Sequence, residues 1–277
     1  MNRLPRRVIF LSTVSLAIAG ALAGFTLIAC SSSSNGDGVT ATDSGSGDVG
    51  SDSGLPVDTG TRDTGAVDTG AADTGPVDPF AGCTRDPGPG DAGIGSSDGG
   101  ADPVGSADKF TLAQALAGFP SGTGVLTAVI TTEKGQIVCT LDDTAAPITV
   151  ANFVGLARGT RPWQSPSSGE WVTKPLYNGL KWHRVVANFV IQGGDPLGTG
   201  GGGPGYDLPK ENQIPEPTGV LAMAASSVPS GSQFYIVIGD GPAASYNVFG
   251  TCDVGPVALA ITQKDHMQKI EIARCPK

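Results

Sequence analysis

The sequence is poor in the residues on which many chemistries rest. Its 277 residues include two histidines, three methionines, three tryptophans and five cysteines, and 17 Lys and Arg stand against 26 Asp and Glu. A formal charge of −9 excludes a nucleic-acid binder that relies on a broad basic surface. Two histidines, and no Gly-x-Ser-x-Gly elbow within residues 108–277, exclude a nucleophile of the Ser-His-Asp kind in the domain, and nothing in the sequence calls for a metal or a cofactor. Glycine and proline are abundant instead, at 42 and 21 residues, too many for one compact domain.

The acidity is local. Residues 1–30 carry Arg3, Arg6 and Arg7 and no acid, whereas residues 31–107 hold thirteen Asp against Arg62 and Arg85, and the remainder is nearly balanced. The middle stretch is mostly Gly, Ser, Thr, Asp and Pro, with too few apolar groups to offset the entropy of ordering it. Residues 30–107 therefore read as a disordered tether and residues 108–277 as one domain large enough for a core. Within the tether, Asp58-Thr59-Gly60 recurs as Asp63-Thr64-Gly65, Asp68-Thr69-Gly70 and Asp73-Thr74-Gly75. The repeat lacks the dense acidic loop of a calcium site and is read as a soluble spacer.

The first 29 residues are an address. A basic cluster precedes an uncharged apolar run, as in secretory signals, and Leu27-Ile28-Ala29-Cys30 resembles the lipobox of bacterial lipoproteins. That resemblance implies cleavage before Cys30, lipidation of Cys30 and a membrane-anchored, exported chain. Ser31 in the next position points to the outer membrane.

Along the domain, Thr111–Ala117 reads as a short helix stopped by Gly118. Val125–Thr132 and Gln136–Leu141 flank Glu133-Lys134-Gly135 as a hairpin. Val150, Phe153, Val154 and Ala157 fall at helical spacing, with Thr149 as N-cap and Gly159 as stop, so Pro147–Gly159 reads as an amphipathic helix. Residues 160–175 read as a loop. Short apolar runs follow at Trp182–Val186, Phe189–Gln192, Val220–Met223, Phe234–Ile238, Tyr246–Phe249 and Gln268–Ala273, with one further short helix near Val257–Thr262. Many short strands and few helices indicate a β-barrel or sandwich.

Three stretches carry a wider resemblance: Ala146–Phe153, Trp182–Asp195 and Gly231–Ile236, followed in order by Val248-Phe249-Gly250 and Lys269–Ile272. In these the chain, from about Val125 to Cys275, resembles the cyclophilin-type peptidyl-prolyl cis/trans isomerases. The resemblance implies a mainly β fold, an eight-stranded antiparallel closed barrel capped by two helices. It implies proline-containing polypeptides as partners, no cofactor and no metal. It places Arg184 as the catalytic group, Phe189, Val190 and Tyr235 around the proline ring, and Gln192, Gly198, Ala224, Ala225 and Gln233 along the peptide. Val190 and Tyr235 stand where Met and Phe are frequent, and Tyr246 stands where His or Tyr occurs.

The implied chemistry needs no nucleophile. An X–Pro amide is stiffened by resonance, with a barrier of about 18–20 kcal/mol. When the C–N bond twists, the proline nitrogen gains a lone pair that the planar ground state lacks. A donor aimed at that nitrogen therefore binds the transition state better than either isomer, and an arginine offers fixed N–H donors for it. His183 beside Arg184 reads as structural. Gly198-x-Gly200-x-x-Gly203 matches a dinucleotide pattern by count, but Pro204-Gly205 follows instead of a helix, so this run is read as a loop beside the groove.

The chain departs from the family pattern at Ile238–Tyr246, which is about two residues short and lacks the Trp and Leu that commonly wall the proline pocket. Cyclosporin is therefore expected to bind weakly. Of the four cysteines after Cys30, Cys139 reads as a buried free thiol, while Cys252 and Cys275, near the ends of late strands, are expected to pair. Two functions are carried forward: an exported, lipid-anchored, monomeric isomerase of envelope proteins, and a low-turnover proline-peptide-binding or chaperone-like module on the same fold.

Overall fold

The structure is a computed structural model and describes residues 78–88, 101–243 and 247–277. The signal segment, Cys30, the repeat and Tyr246 lie outside the described residues. The strands are β1 (Thr84–Arg85), β2 (Val125–Thr132), β3 (Gly135–Leu141), β4 (Trp163–Gln164), β5 (Trp171–Val172), β6 (Leu180–Lys181), β7 (Arg184–Val186), β8 (Val190–Gly193), β9 (Val220–Ala225), β10 (Pro229–Val237), β11 (Val248–Cys252) and β12 (His266–Cys275). The helices are α1 (Leu112–Ala115), α2 (Pro147–Arg158) and α3 (Pro256–Leu259), with one 3-10 turn at Ala107–Lys109. No helix among the described residues is long and apolar enough to cross a membrane.

The chain is mainly β with few helices, but the expected eight-stranded closed barrel is corrected. Ten strands form one antiparallel sheet in the order β1-β12-β2-β3-β11-β9-β10-β8-β7, with β6 also on β12, while β4 and β5 pair by themselves. No ladder among the described residues joins β7 back to the far edge. β6 and β7 are only two and three residues long, and the chain passes between their two partners through Trp182-His183. That crossing is held by the Trp182 N–H, which donates to Asp265 O at 3.1 Å, and by the fully buried indole.

The core forms where the periodicity placed it. Phe153 on α2 packs against Tyr177, Phe234 and Phe249 with ring centroids 5.2, 5.5 and 5.1 Å away, and Trp182 meets Phe234 edge-on at 5.9 Å. Helix α2 is not amphipathic, however. Every residue from Thr149 to Arg158 is buried, because the 3-10 turn, Phe110 and α1 cover its outer side. Gly155 permits this: a Cβ there would stand 2.5 Å from the Phe110 ring. Gly159 ends the helix in the left-handed region, as expected.

The start of α2 corrects the expectation for Thr149. The N-cap is Ala146, which offers no side-chain acceptor. Glu211 caps the helix from 62 residues beyond Thr149, its carboxylate accepting from Ile148 N and Thr149 N at 2.8 Å each and from Thr149 Oγ1 at 2.5 Å. Asn247, with φ 44°, completes the network by donating to Thr149 Oγ1 and Pro209 O and accepting from Glu211 N.

The tether boundary also moves. Asp78–Gly88 and residues 101–107 belong to the folded unit. Phe80 is buried on the outer face of the β2–β12 ladder against Val129 and Ala273, and β1 extends the sheet along β12. Asp86 pairs with the buried Arg158 at 2.7 Å, and Asp102 with the fully buried Arg161 at 2.6 Å. The cysteine expectation is overturned: the bridges are Cys83–Cys275 and Cys139–Cys252. Cys139 and Cys252 stand directly opposite each other on β3 and β11, and pairing of Thr84 with Arg274 brings Cys83 opposite Cys275. Composition hid this segment, since two of its aspartates are counter-ions of buried arginines rather than solvated charges.

A chain begun at residue 108 loses one bridge and leaves two buried guanidinium groups without their carboxylates. Its unfolding free energy should fall by at least about 5 kcal/mol relative to a chain begun at residue 77. Denaturant unfolding of the two checks this, and equal midpoints would contradict the packing described.

Candidate active site

Side chains alternate across a strand, and the sheet uses both faces. On β10, Phe234 and Ile236 enter the central core while Tyr235 and Val237 point to the other side. The same alternation sends Ile191 of β8, with Leu221 and Met223 of β9, into the core, and Val190, Val220, Ala222 and Ala224 outward. Ladder register then sets Arg184, Gln192, Tyr235, Ala222 and Val248 side by side in one row across β7, β8, β10, β9 and β11.

This row lies at a cavity of about 420 Å³ lined by Arg184, Phe189, Val190, Gln192, Ala224, Ala225, Ser226, Tyr235 and Pro242. Val190 and Tyr235 are buried, and Arg184 is exposed at the mouth, with its Cζ 5.6 Å from the Phe189 ring centroid. The turn before β8 positions Phe189: Asn188 takes φ 55°, and the Phe189 N–H donates to Val186 O at 3.1 Å. The short segment after β10 is strapped to that turn, Ile238 N donating to Phe189 O at 2.8 Å and Asp240 N to Asn188 O at 3.0 Å. Gly239 is required there, since a Cβ would meet Asn188 O at 2.2 Å. This segment delivers Pro242 to the wall.

A chain of amides runs back from the arginine. Arg184 Nη1 donates to Gln192 Oε1 at 3.4 Å, Gln192 Nε2 to Gln233 Oε1 at 3.1 Å, and Gln233 Nε2 to the carbonyls of Gly200 and Gly202 at 2.9 and 2.8 Å. The glycine loop that ends this chain is wound around Asp195. Its carboxylate accepts from Leu197 N, Thr199 N and Gly200 N at 2.8, 2.9 and 2.6 Å. Burial opposes the charge, but the N–H groups of Leu197, Gly202, Gly200 and Thr199 outweigh it and hold the acid below its ordinary value. At the floor, the Tyr235 hydroxyl donates to the buried Glu216 carboxylate. His183 is half-buried, and both ring nitrogens are shielded from solvent. Burial lowers its pKa against the pull of Asp195, which keeps the imidazole neutral at pH 7.

Of the predicted site residues, Arg184, Phe189, Val190, Gln192, Ala224, Ala225 and Tyr235 meet at this cavity. Gln233 lines an adjoining one with Gln192, Ala224 and Ala225. Gly198 is not brought to either wall; it takes φ 64° and backs onto the Lys181 side chain. Ser226, Pro242 and Glu216 escaped sequence reasoning. Pro242 stands in the shortened segment, where no sequence motif marks it. No group of three or more potential metal ligands occurs among the described residues.

A family model described as cyclophilin type peptidyl-prolyl cis-trans isomerase/CLD matches residues 127–275. A peptidyl-prolyl cis-trans isomerase A of Mycobacterium tuberculosis is 46% identical over 121 residues, 42% of this chain and 66% of the relative. A peptidyl-prolyl cis-trans isomerase B of Streptomyces anulatus is 47% identical over 118 residues, 41% of this chain and 67% of the relative. A cyclophilin type structure from Cryptosporidium parvum aligns with a TM-score of 0.44 at 24% identity, covering 55% of this chain and 99% of that one.

Asp195 supports the groove only while ionised. Its folded value lies below 3.8, so its contribution is complete above that pH and is lost as the pH falls through the lower, folded value. Asp195→Asn should lower stability at pH 7 by about 1–3 kcal/mol and flatten the acid limb below pH 3.8. Unfolding midpoints measured from pH 7 downward check both, and an unaltered acid limb would count against the carboxylate.

Proposed function

Because the chain belongs to the cyclophilin type peptidyl-prolyl cis-trans isomerase family, we propose that it isomerises X–Pro bonds in polypeptides by a non-covalent route centred on Arg184. One observation carries this reading: a guanidinium, hydrogen-bonded to Gln192 at 3.4 Å, lines a cavity of about 420 Å³ together with Phe189, Val190, Tyr235 and Pro242. The ring would sit among Phe189, Val190, Tyr235 and Pro242, while the preceding residue turns about the amide. Arg184 would donate to the lone pair that appears on the proline nitrogen as resonance is lost, and the apolar wall would disfavour the charge-separated form that stiffens the bond. Lowering the barrier by about 7 kcal/mol corresponds to roughly 10⁵-fold acceleration. None of this requires a metal or a cofactor.

The same proposal places the chain outside the cytoplasm, held as a monomer to the envelope by lipid on Cys30, with exported proteins as substrates. It rests on the basic-then-apolar N-terminus and the Leu27–Cys30 match, and two disulfides fit an oxidising compartment. Palmitate labelling that persists in Cys30→Ala would overturn it.

A low-turnover binding module is the second reading, favoured by the wall that Pro242 makes where the family commonly has Trp and Leu. A protease-coupled assay on an Ala-Pro peptide separates the two. Wild-type turnover should stand well above background, and Arg184→Ala should cost about 10²–10³ in kcat/KM; background activity in the wild type selects the module. Cyclosporin should inhibit weakly, and tight inhibition would show that Pro242 replaces the missing wall in full.

A further inference from the structure

The proline cavity opens into a longer trough. It shares Gln192, Ala224, Ala225 and Ser226 with a second cavity of about 380 Å³. That one shares Gly201, Gly202, Asp207 and Ser230 with a third of about 580 Å³, whose other walls include Gln164, Ser165, Pro166 and Leu197. The outer bank of the third cavity is the β4–β5 hairpin, which the sequence had suggested only as a loop.

The hairpin is a built bank. The Gln164 N–H donates to Pro204 O at 2.8 Å and the Ser165 N–H to Glu170 O at 2.8 Å, and Trp171 stacks on Tyr206 with centroids 6.3 Å apart and planes 10° apart. Gly205 permits this approach, since a Cβ would stand 2.7 Å from Gln164 Cβ. Leu197, one of the few exposed large apolar side chains, also lines the third cavity. Asp207 is the one charged residue lining the second and third cavities. It is exposed, and among the described residues its carboxylate has no ion pair or hydrogen bond.

We propose that this third cavity is a subsite for substrate residues flanking the proline, and that it selects lysine or arginine there through Asp207. The proposal rests on the proline-peptide reading above and extends it to the sequence around the proline. An extended chain seated with its proline beside Arg184 would run along the shared walls. There it would meet glycine backbone, Ser230 and then the hairpin, with a single negative charge and no positive one. A glutamate or aspartate in that stretch would face Asp207 across a short polar gap.

The test uses the full chain and two peptide series that differ only in carrying Lys or Glu two, three or four residues from a single proline, on either side. Affinity is measured by titration calorimetry beside turnover. At low salt the Lys peptides should bind about three- to fivefold more tightly than the Glu peptides at one or more positions. The ratio should shrink in about 0.5 M salt and collapse toward one in Asp207→Asn. A ratio of one at every position, or a ratio that survives Asp207→Asn, overturns the proposal. Amide shifts at Ser165 and Gly169 should follow the Lys peptide; their absence overturns the hairpin bank. Affinity reads the subsite even where turnover is at background, a result that counts against the isomerase reading and not against the subsite.

Discussion

Everything at the groove depends on the pleat. A strand sends neighbouring residues to opposite sides, so the Gln233-Phe234-Tyr235-Ile236 run supplies in one stroke a core aromatic, a core aliphatic and two groove residues. The core half is held by the aromatic cluster around Phe153, and the groove half inherits its rigidity through the shared backbone. A one-residue slip of β10 against β8 would exchange the two sets, turning Gln233 and Tyr235 into the central core and Phe234 toward the groove. The site and the core are therefore specified by the same register.

A second constraint reaches the groove from behind. Asp102 holds Arg161, whose Nε donates to the Tyr206 hydroxyl at 3.2 Å; that hydroxyl donates to Asn152 Oδ1 at 2.8 Å, and Asn152 Nδ2 donates to Gly231 O at 2.8 Å. Gly231 immediately follows Ser230 of the trough wall. The acidic segment before the domain is thus continuous, through buried hydrogen bonds, with the floor against which a peptide would lie. Arg161 Nη1 is the one buried side-chain nitrogen of this network without a hydrogen bond.

How much of this could be read from residues alone depended on range. The β2–β3 hairpin, the inner face of α2, the existence of α1 and most strand positions followed from local periodicity and turn chemistry. The gathering of Arg184, Phe189, Val190 and Tyr235 was legible only through the family resemblance, whose motifs lie on or beside the strands that bring these residues together. What escaped was long-range. Glu211 caps residues 62 and 63 positions before it, Phe80 packs on β2 and on the last strand β12, and the bridges follow from which strands become neighbours. Asp86 and Asp102 were hidden by the company they keep, since a carboxylate among glycines and serines looks solvated until its buried arginine is seen. Pro242 was missed because no sequence motif marks it in the shortened segment.

The Cys83–Cys275 bridge also has a mechanical meaning. It sits beside the edge strand β1, in the first described segment, while Arg184 lies on β7 at the other end of the hydrogen-bonded order. A pull applied to the chain at Asp78 passes through five residues and then into a covalent bond to the terminal strand, which is paired along most of its length with β2. The β12–β2 ladder, the longest of the sheet, is therefore the first to meet such a load, ahead of β8, β10 and the glycine loop. The groove would keep its shape under tension.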